Sequence, residues 1–466
     1  MYAPHVYNID GDFNMKHNNK YLFSLLLLPL LGGLSFLAPN KASKVEAYDK
    51  ATVTTTINLS DVSDDTIRNY YSNLNSLSES ERQGENLLKN LKGILKNGQK
   101  YYSYDSGNDI WKMYEIVDRD WKKSPASEIE GYDASTKTIT GYKYGTSVSN
   151  KGSNPYIHAL YVNRNVENET TAWGDHTQKA WGINQEHIWA KAHGFHPEGG
   201  AGARGDLMHL WAGNGRVNGS YHNDEFFGIV DKNQSYTDAG NDYSYLSGNL
   251  RGKSKTLGSS YTVFEPQDSD KGDIARALFY MAARYNNFDG DTNIDEDNPN
   301  LRLVNTVYSG PSYVSSTTKT GDYGILSDLL EWNKLDPVDE FELHRNNLCF
   351  NNYTNNRNPF IDFPEWADLI WGADKNTKSA NPLSDSIARP KDFVPPEGNL
   401  DNDTVQKDNS IIPGVPNIYV YIGVGAVAAI ILVVVIIVLL KGNKKQKKAL
   451  KKVAKKVVKS SSKKKK

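Results

Sequence analysis

The feature that most limits how this chain can fold is an uncharged, mainly apolar run of 23 residues, 418–440. As a helix at ~1.5 Å per residue, this run would be about 34 Å long, enough to cross the ~30 Å hydrocarbon layer of a bilayer. The 14 lysines that follow it, without any acidic residue, favour a cytoplasmic position for that end. We therefore expect a transmembrane helix at 417–440 and a Lys-rich cytoplasmic tail at 441–466, which contacts membrane lipid or, alternatively, nucleic acid.

A second apolar run, 21–38, follows Lys16 and Lys20 and precedes the small residues around Ala47. A basic end, an apolar stretch and a small-residue site are typical of a secretory signal peptide. We expect residues 1–47 to be this signal, with Met15 as an alternative start. A retained N-terminal membrane anchor is the competing interpretation.

Composition divides the part of the chain between these two runs. Residues 48–82 are rich in Thr, Ser, Asn and Asp and are expected to be a flexible N-terminal segment. Residues 376–416 hold six prolines among polar residues, which is typical of a linker. The folded domain is therefore expected at 83–375. Its apolar spacing predicts helices near 87–95, 271–282, 325–334, 337–347 and 365–371.

The charge balance argues against a protein that coats nucleic acid. The formal net charge is −1, but without the C-terminal tail the chain has 40 basic against 55 acidic residues, a balance of −15. Proteins that bind DNA through many phosphate contacts are basic. The body is thus expected to engage a phosphate backbone locally, through a metal and a few cations, or not to bind nucleic acid. The one cysteine, Cys349, predicts no disulfide-linked partner.

The groups with the strongest chemical signal lie between Asn184 and Asn223. Glu186 stands next to His187, and Asp206, His209 and Asn218 follow within 32 residues. A carboxylate and an amide oxygen suit Mg²⁺, and a neutral imidazole can take a proton from water, so the set indicates metal-assisted hydrolysis. A zinc site is the alternative, because this part of the chain is also rich in histidine: His187, His193, His196, His209 and His222.

Residues 184–189, Asn-Gln-Glu-His-Ile-Trp, resemble the Asn-Arg-Glu-His-x-Trp-Pro signature of the bacterial endonuclease I family. This family comprises extracellular and periplasmic nucleases of the ββα-metal, or His-Me finger, class. Further blocks resemble the family in the same order over roughly residues 83–372: 206–210, 217–223, 271–281, 332–337, 342–346 and 356–365. The resemblance implies an α+β fold, a mostly helical mixed domain around a ββα-metal core.

The resemblance also implies roles for individual residues. His187 would be the general base, supported by His209 and Asp206, and Glu186 and Asn218 would hold Mg²⁺, with Ca²⁺ or Mn²⁺ as alternatives. Phosphate-binding roles fall to Arg357, Arg276 and Asn223, although Arg276 is equally a candidate partner for a helix carboxylate.

The sequence departs from the family pattern at four positions. Gln185, Ala190, Met208 and Tyr221 stand where Arg, Pro, His and Arg are expected. The cation that stabilises the leaving group is therefore not identified by the motif, and Arg204 and Arg216 are the candidates.

Together these patterns predict a membrane-anchored, extracellular, metal-dependent nuclease. It would hydrolyse phosphodiester bonds of DNA and RNA without sequence specificity and leave 5′-phosphates. The alternative is a catalytically weakened nuclease fold that serves as a surface nucleic-acid-binding or adhesion module. A metal-dependent protease or phosphatase is disfavoured because the chain lacks a His-Glu-x-x-His motif.

Overall fold

The structure, a computed structural model, describes residues 51–104, 109–144, 155–162, 182–195, 202–287, 299–307 and 320–390. The expected signal peptide, transmembrane segment and Lys-rich tail lie outside these residues, as does the linker beyond residue 390. None of the helices in the described ranges combines the length and apolar character needed to span a bilayer.

Helices and strands are mixed along the chain, which confirms the predicted α+β class. The α-helices are α1 (Asp64–Tyr70), α2 (Gly84–Lys96), α3 (Asp109–Val117), α4 (Gly215–Val217), α5 (Lys271–Arg284), α6 (Leu326–Leu335), α7 (Glu340–Leu348), α8 (Pro359–Asp362) and α9 (Trp366–Ile370). The strands are β1 (Ile57–Asn58), β2 (Tyr132–Asp133), β3 (Thr138–Ile139), β4 (Ile183–His187), β5 (Leu210–Asn214), β6 (Phe226–Phe227), β7 (Tyr236–Asp238), β8 (Leu250–Ser254), β9 (Gly258–Glu265), β10 (Asn300–Leu303) and β11 (Thr320–Tyr323). Two π-helical segments, Asn218–His222 and Cys349–Thr354, continue α4 and α7.

Helix α5 lies at the centre of the packing, and all of its residues are buried. It contacts α2, α6, α8 and β10. Its buried cations have polar partners, because an isolated buried charge costs several kcal/mol. Arg284 donates to the Gln99 side chain and to the Tyr101 hydroxyl. Lys271 lies 2.6 Å from carboxylate oxygens of both Glu265 and Asp268, and Arg276 pairs with Glu342 of α7. The pattern that predicted this helix thus identified a core element.

The strands form four separate small sheets in the described ranges. The largest has the order β6-β9-β8-β7, in which β6 runs parallel to β9 and the other neighbours are antiparallel. Strands β10 and β11 pair in parallel, and β1-β3-β2 form an antiparallel sheet. The antiparallel pair β4-β5 is followed directly by α4, so the chain builds a unit of two strands and a helical segment there.

The N-terminal segment expected to be flexible is structured from residue 51 onward. Strand β1 pairs with β3, and Ser63 caps α1 by accepting a hydrogen bond from the Thr66 amide at 3.2 Å. Tyr71 is fully buried and donates its hydroxyl to Asp362 at 2.7 Å. The polar composition was misleading because a few apolar side chains are sufficient to anchor this segment.

The predicted boundary at residue 375 is also wrong for the first part of the linker. Residues 376–390 pack on the domain, with Ala380 and Ile387 buried. The Ala380 amide donates to the Arg82 carbonyl at 3.0 Å, and Arg389 pairs with Asp64 at 2.6 Å. The folded domain therefore extends at both ends beyond the expected limits.

Candidate active site

Strands β4 and β5 bring the central motif into one unit with the helical segment that follows. Their register places Glu186 opposite Trp211 and His187 opposite Leu210. A Cβ atom added at Gly213 would lie 2.9 Å from the Glu186 Cβ, so glycine is what allows β5 to pass this close. Asn214 then caps α4, since its side-chain oxygen accepts from the backbone amides of residues 216 and 217.

Glu186 is held in the interior through one of its two oxygens. Its Oε1 accepts the Tyr161 hydroxyl at 2.5 Å and lies 2.7 Å from His222 Nδ1. His222 Nε2 in turn lies 2.8 Å from the Tyr323 hydroxyl. Among the described residues none donates to Glu186 Oε2, so the side chain is fixed in orientation while one oxygen stays open for a ligand.

Asn218 occupies the first position of the π-helical segment that ends at His222. Residues four apart on a helix share a face, and His222 contacts Glu186, so this face of the segment is turned toward the site. The Asn218 side chain is half-buried, and among the described residues none is hydrogen-bonded to it. An open carboxylate oxygen and an open amide oxygen are the hard donors that Mg²⁺ takes, so these residues fit a divalent cation.

His187 has the protonation state that a general base needs. Its Nε2 lies 2.9 Å from the Arg204 carbonyl oxygen, which can only accept, so the ring proton is on Nε2. Burial lowers the pKa of His187 well below its usual value, and the nearby His209 and Lys191 side chains lower it further. The ring is therefore neutral at neutral pH, and the lone pair is on Nδ1.

His209 lies beside this base with both of its own nitrogens engaged. The two ring centroids are 5.4 Å apart. His209 Nε2 lies 2.8 Å from the Ala203 carbonyl, and Nδ1 accepts the Trp189 amide at 3.4 Å. Burial lowers the pKa of His209 to about 4, so its ring is neutral at neutral pH. Through its two hydrogen bonds, this ring connects the residues after β4 to the loop before β5.

Asp206 is a buried carboxylate whose oxygens are saturated with donors. Its Oδ2 accepts from Gln99 at 2.8 Å, from Tyr280 at 2.7 Å and from Tyr285 at 2.8 Å. Its Oδ1 accepts the Met208 amide at 3.0 Å. In the described part of the chain neither Asp206 nor His209 hydrogen-bonds to His187, so the support they give is through the loop between the strands.

Comparison with known proteins identifies the family to which this arrangement belongs. The family model described as Endonuclease I matches residues 83–365. The chain belongs to the endonuclease I family. No solved structure matches it.

Two curated relatives in this comparison are bacterial and secreted. The chain is 40% identical over 189 residues to the extracellular ribonuclease of Bacillus subtilis (strain 168), which is 40% of this chain and 54% of the relative. It is equally similar, at 40% over 189 residues, to the extracellular ribonuclease of Bacillus amyloliquefaciens, covering 53% of that protein. The chain thus spans about half the length of the curated relatives it matches.

The structure does not place the two arginines that the endonuclease I resemblance assigned to phosphate at an accessible surface. Arg357 is fully buried and pairs with Asp362 through its Nε at 2.8 Å and its Nη2 at 2.6 Å. Arg276 is fully buried against Glu342, and its Nη1 donates to the Asp336 carbonyl at 2.7 Å. The phosphate role has no support at either position, and Arg276 has the helix-carboxylate role that the sequence left open.

Asn223, the third predicted phosphate ligand, directly follows the π-helical segment. Its φ of 49° is left-handed, its amide donates to the Asn218 carbonyl at 2.6 Å, and its exposed side chain donates to Asp224 at 2.7 Å. Its phosphate role stays a prediction.

The structure also gathers carboxylates away from the proposed metal ligands. Asp273, Asp339 and Glu342 have ligand atoms within 4.8 Å of one another. Arg276 lies between two of them, bonded to Glu342 and 3.6 Å from Asp273. Because this guanidinium lies against two of the three carboxylates and offsets part of their charge, we assign the group to the core of the endonuclease I domain.

Sequence reasoning missed the partners that orient Glu186. Tyr161 precedes it by 25 residues, and Tyr323 follows it by more than 130, outside every motif that was singled out. His222 was noted only as one of many histidines. Its position four residues after Asn218, one turn along the same segment, is the signal that would have identified it.

Proposed function

We propose that this protein is a metal-dependent endonuclease that hydrolyses phosphodiester bonds of both RNA and DNA without sequence specificity. The observation that carries the proposal is the state of His187. The His187 ring is buried and neutral, and its proton is on Nε2, which faces the Arg204 carbonyl. The preceding residue is Glu186, a carboxylate with one open oxygen. The family membership and the secreted ribonuclease relatives support the same activity.

The side chains of the site have separate roles in hydrolysis. His187 Nδ1 accepts a proton from the attacking water, while the Arg204 carbonyl keeps the other nitrogen protonated and the ring in place. Glu186 Oε2 and Asn218 would hold the divalent cation, and Tyr161 and His222 keep Glu186 turned toward it. A bound Mg²⁺ supplies stabilisation of the negative charge that develops on the phosphoryl group and the leaving oxygen.

The choice of water as nucleophile sets the substrate range. Because His187 activates water and no step uses a ribose 2′-hydroxyl, DNA and RNA are both substrates. Departure of the 3′ oxygen leaves a 5′-phosphate on the product. A neutral imidazole base is available at neutral pH, which suits a secreted enzyme.

We further propose that the domain acts outside the cell and is held at the membrane by residues 417–440. The 23-residue uncharged run, the lysines after it and the secreted relatives support this topology. Protease added to intact cells is expected to degrade the domain. A domain that survives on intact cells and is cut only after lysis would contradict an extracellular position.

The activity is tested with the full chain on supercoiled plasmid and on single-stranded RNA, in Mg²⁺, Mn²⁺, Ca²⁺ and chelator. We expect cleavage of both substrates that requires a divalent cation. His187→Ala should lower the rate by roughly 10²–10⁴-fold, as loss of a general base does. His344→Ala, which removes a half-buried histidine from α7, is the control and should keep wild-type cleavage.

The same assay separates the second candidate function. Because Gln185 and Tyr221 stand where the family pattern has arginine, a degenerate nuclease that only binds nucleic acid is the alternative. Retained binding of RNA without cleavage in any cation would favour it. Cleavage that His187→Ala leaves untouched would remove the base assigned here.

A further inference from the structure

Two cations and a tyrosine meet directly beside the His187 ring. The Tyr104 ring lies edge-on to His187 with a centroid distance of 4.7 Å. The Lys191 ammonium lies 5.0 Å from the Tyr104 centroid and 3.5 Å from its hydroxyl. The Arg204 guanidinium carbon lies 5.1 Å from the same ring. These three side chains come from separate segments and form what we call the Tyr104 cluster.

The members of the Tyr104 cluster differ in burial. Arg204 is buried and its carbonyl holds His187, whereas Tyr104 is half-buried and Lys191 is exposed. Lys191 forms no ion pair with any carboxylate of the described residues. Its ammonium is therefore held by an aromatic ring and a hydroxyl, neither of which neutralises it, and it is the member of the cluster open to a ligand.

An open cation at this point is notable because the body of the chain is acidic. Outside the C-terminal tail, acidic residues outnumber basic ones by 55 to 40. A single ammonium beside a neutral base attracts an anion locally, and the Tyr104 hydroxyl adds a hydrogen-bond donor for it. The chemistry of this pair matches a singly charged phosphodiester.

The distance from the base decides which phosphate would be bound. Lys191 contacts Tyr104, and Tyr104 contacts His187, so the ammonium is one aromatic ring away from the base. The scissile phosphate must lie within reach of the water that His187 activates. A phosphate at Lys191 is therefore a neighbour of the scissile one on the same strand.

We propose that Lys191 and Tyr104 form a binding subsite for the backbone phosphate next to the scissile phosphate, with Arg204 as the positioning residue beneath the ring. This inference rests on the proposed nuclease function. It predicts that the enzyme prefers strands with a second phosphate over a dinucleotide, which has only the scissile one.

The test compares two substrates, a single-stranded oligonucleotide of eight residues and a dinucleoside monophosphate, using the full chain. Lys191→Gln should lower kcat/KM on the oligonucleotide about tenfold, mainly through KM, because a charged contact is lost. The slope of log(kcat/KM) against log salt should become shallower by about 0.7, the value for one phosphate contact on a single strand. The dinucleoside monophosphate should be cleaved at the wild-type rate.

Three further variants refine the test. Lys191→Arg keeps the charge and should restore most of the salt slope. Tyr104→Phe keeps the ring but loses the hydroxyl, so it should raise KM on the oligonucleotide without changing the slope. Lys122→Gln removes the same charge from an exposed lysine that pairs with Glu340, and should leave both substrates unaffected.

The outcomes distinguish this inference from the activity on which it rests. An active wild type with an unchanged KM and salt slope in Lys191→Gln would overturn the subsite. An equal loss on the dinucleoside monophosphate would place Lys191 at the scissile phosphate and overturn the assignment to its neighbour. A wild type that cleaves neither substrate in any divalent cation would instead overturn the proposed nuclease function.

Discussion

Glu186 and Asp206 are two buried carboxylates in one structural unit, and they differ in how completely they are hydrogen-bonded. Asp206 accepts from four donors: Tyr280 of α5, Tyr285 directly after that helix, Gln99, and the Met208 amide of its own loop. Glu186 has one oxygen bound by Tyr161 and His222, and its other oxygen has no donor among the described residues. A saturated carboxylate stabilises the fold, whereas an oriented but incomplete one is prepared for a ligand.

The largest expected effect comes from a change at Glu186, the carboxylate with the open oxygen. Glu186→Gln keeps the shape of the side chain but removes the charge that would hold the cation, so cleavage should fall about 10³-fold. The melting temperature should stay close to that of the wild type. Plasmid nicking and calorimetric titration with Mg²⁺ measure the two losses together, and undiminished cation affinity would remove Glu186 from the ligand set.

Asp206→Asn changes the fully hydrogen-bonded carboxylate and should lower the stability of the protein. Two tyrosine hydroxyls and two amides would lose a charged acceptor in the core, at a cost of about 3 kcal/mol in the free energy of unfolding. Urea denaturation measures this loss. Cleavage per folded molecule should be near the wild-type value. Asp133→Asn, on an exposed carboxylate that accepts from nearby Ser135, is the control. A strong loss of activity at unchanged stability would show that Asp206 belongs to the chemistry.

His209 gives the unit a predictable response to acid. Its folded pKa of about 4 lies below the unfolded value of about 6.5, so the native state keeps the ring neutral. The stability it contributes is present above pH 6.5 and is lost as the pH falls from 6.5 toward 4, by about 3 kcal/mol in all. Denaturation across this range should show a shallower decline in His209→Gln, whose amide can replace both hydrogen bonds. An identical decline in the variant would contradict the cause assigned here.

The smallest expected effects come from removing a single tyrosine hydroxyl beside each of the two carboxylates. Tyr161→Phe removes one donor from Glu186 and should weaken Mg²⁺ binding about tenfold, because partners of a metal ligand orient it. Tyr280→Phe removes one donor from Asp206 and should instead cost about 1 kcal/mol of stability with unchanged Mg²⁺ affinity. Calorimetric titration gives the Mg²⁺ affinity of both variants, and thermal melting gives their stability. If both variants changed the two quantities equally, the distinction between a ligand carboxylate and a structural one would be wrong.

The sequence predicted those features that depend on residues close together in the chain. The apolar spacing from Lys271 onward located α5, and the run from Glu186 to Asn218 named the groups that the β4-β5 unit gathers. The burial of Arg276 and Arg357 could not be predicted, because it depends on Glu342 and on the packing of α7 and α8 around them. A motif shows which residues occur together, but not whether a charged side chain points inward.

The partners of the site are non-local for the same reason. Tyr161 and Tyr323 reach Glu186 and His222 from distant parts of the chain, and no periodicity relates them. Tyr104 lies more than 80 residues before His187 yet contacts its ring. Such contacts are fixed by the tertiary fold, and only the structure reveals them.

The packing of residues 376–390 on the N-terminal part of the domain has a mechanical consequence. The backbone of Ala380 is bound to Arg82, and Arg389 is bound to Asp64, so the two ends of the domain are joined near its surface. Tension applied to the chain beyond residue 390 would be borne first by these few contacts. They would separate before the load reached α9 or the β4-β5 unit, so these contacts would shield the hydrolytic site from a pull on the chain beyond residue 390.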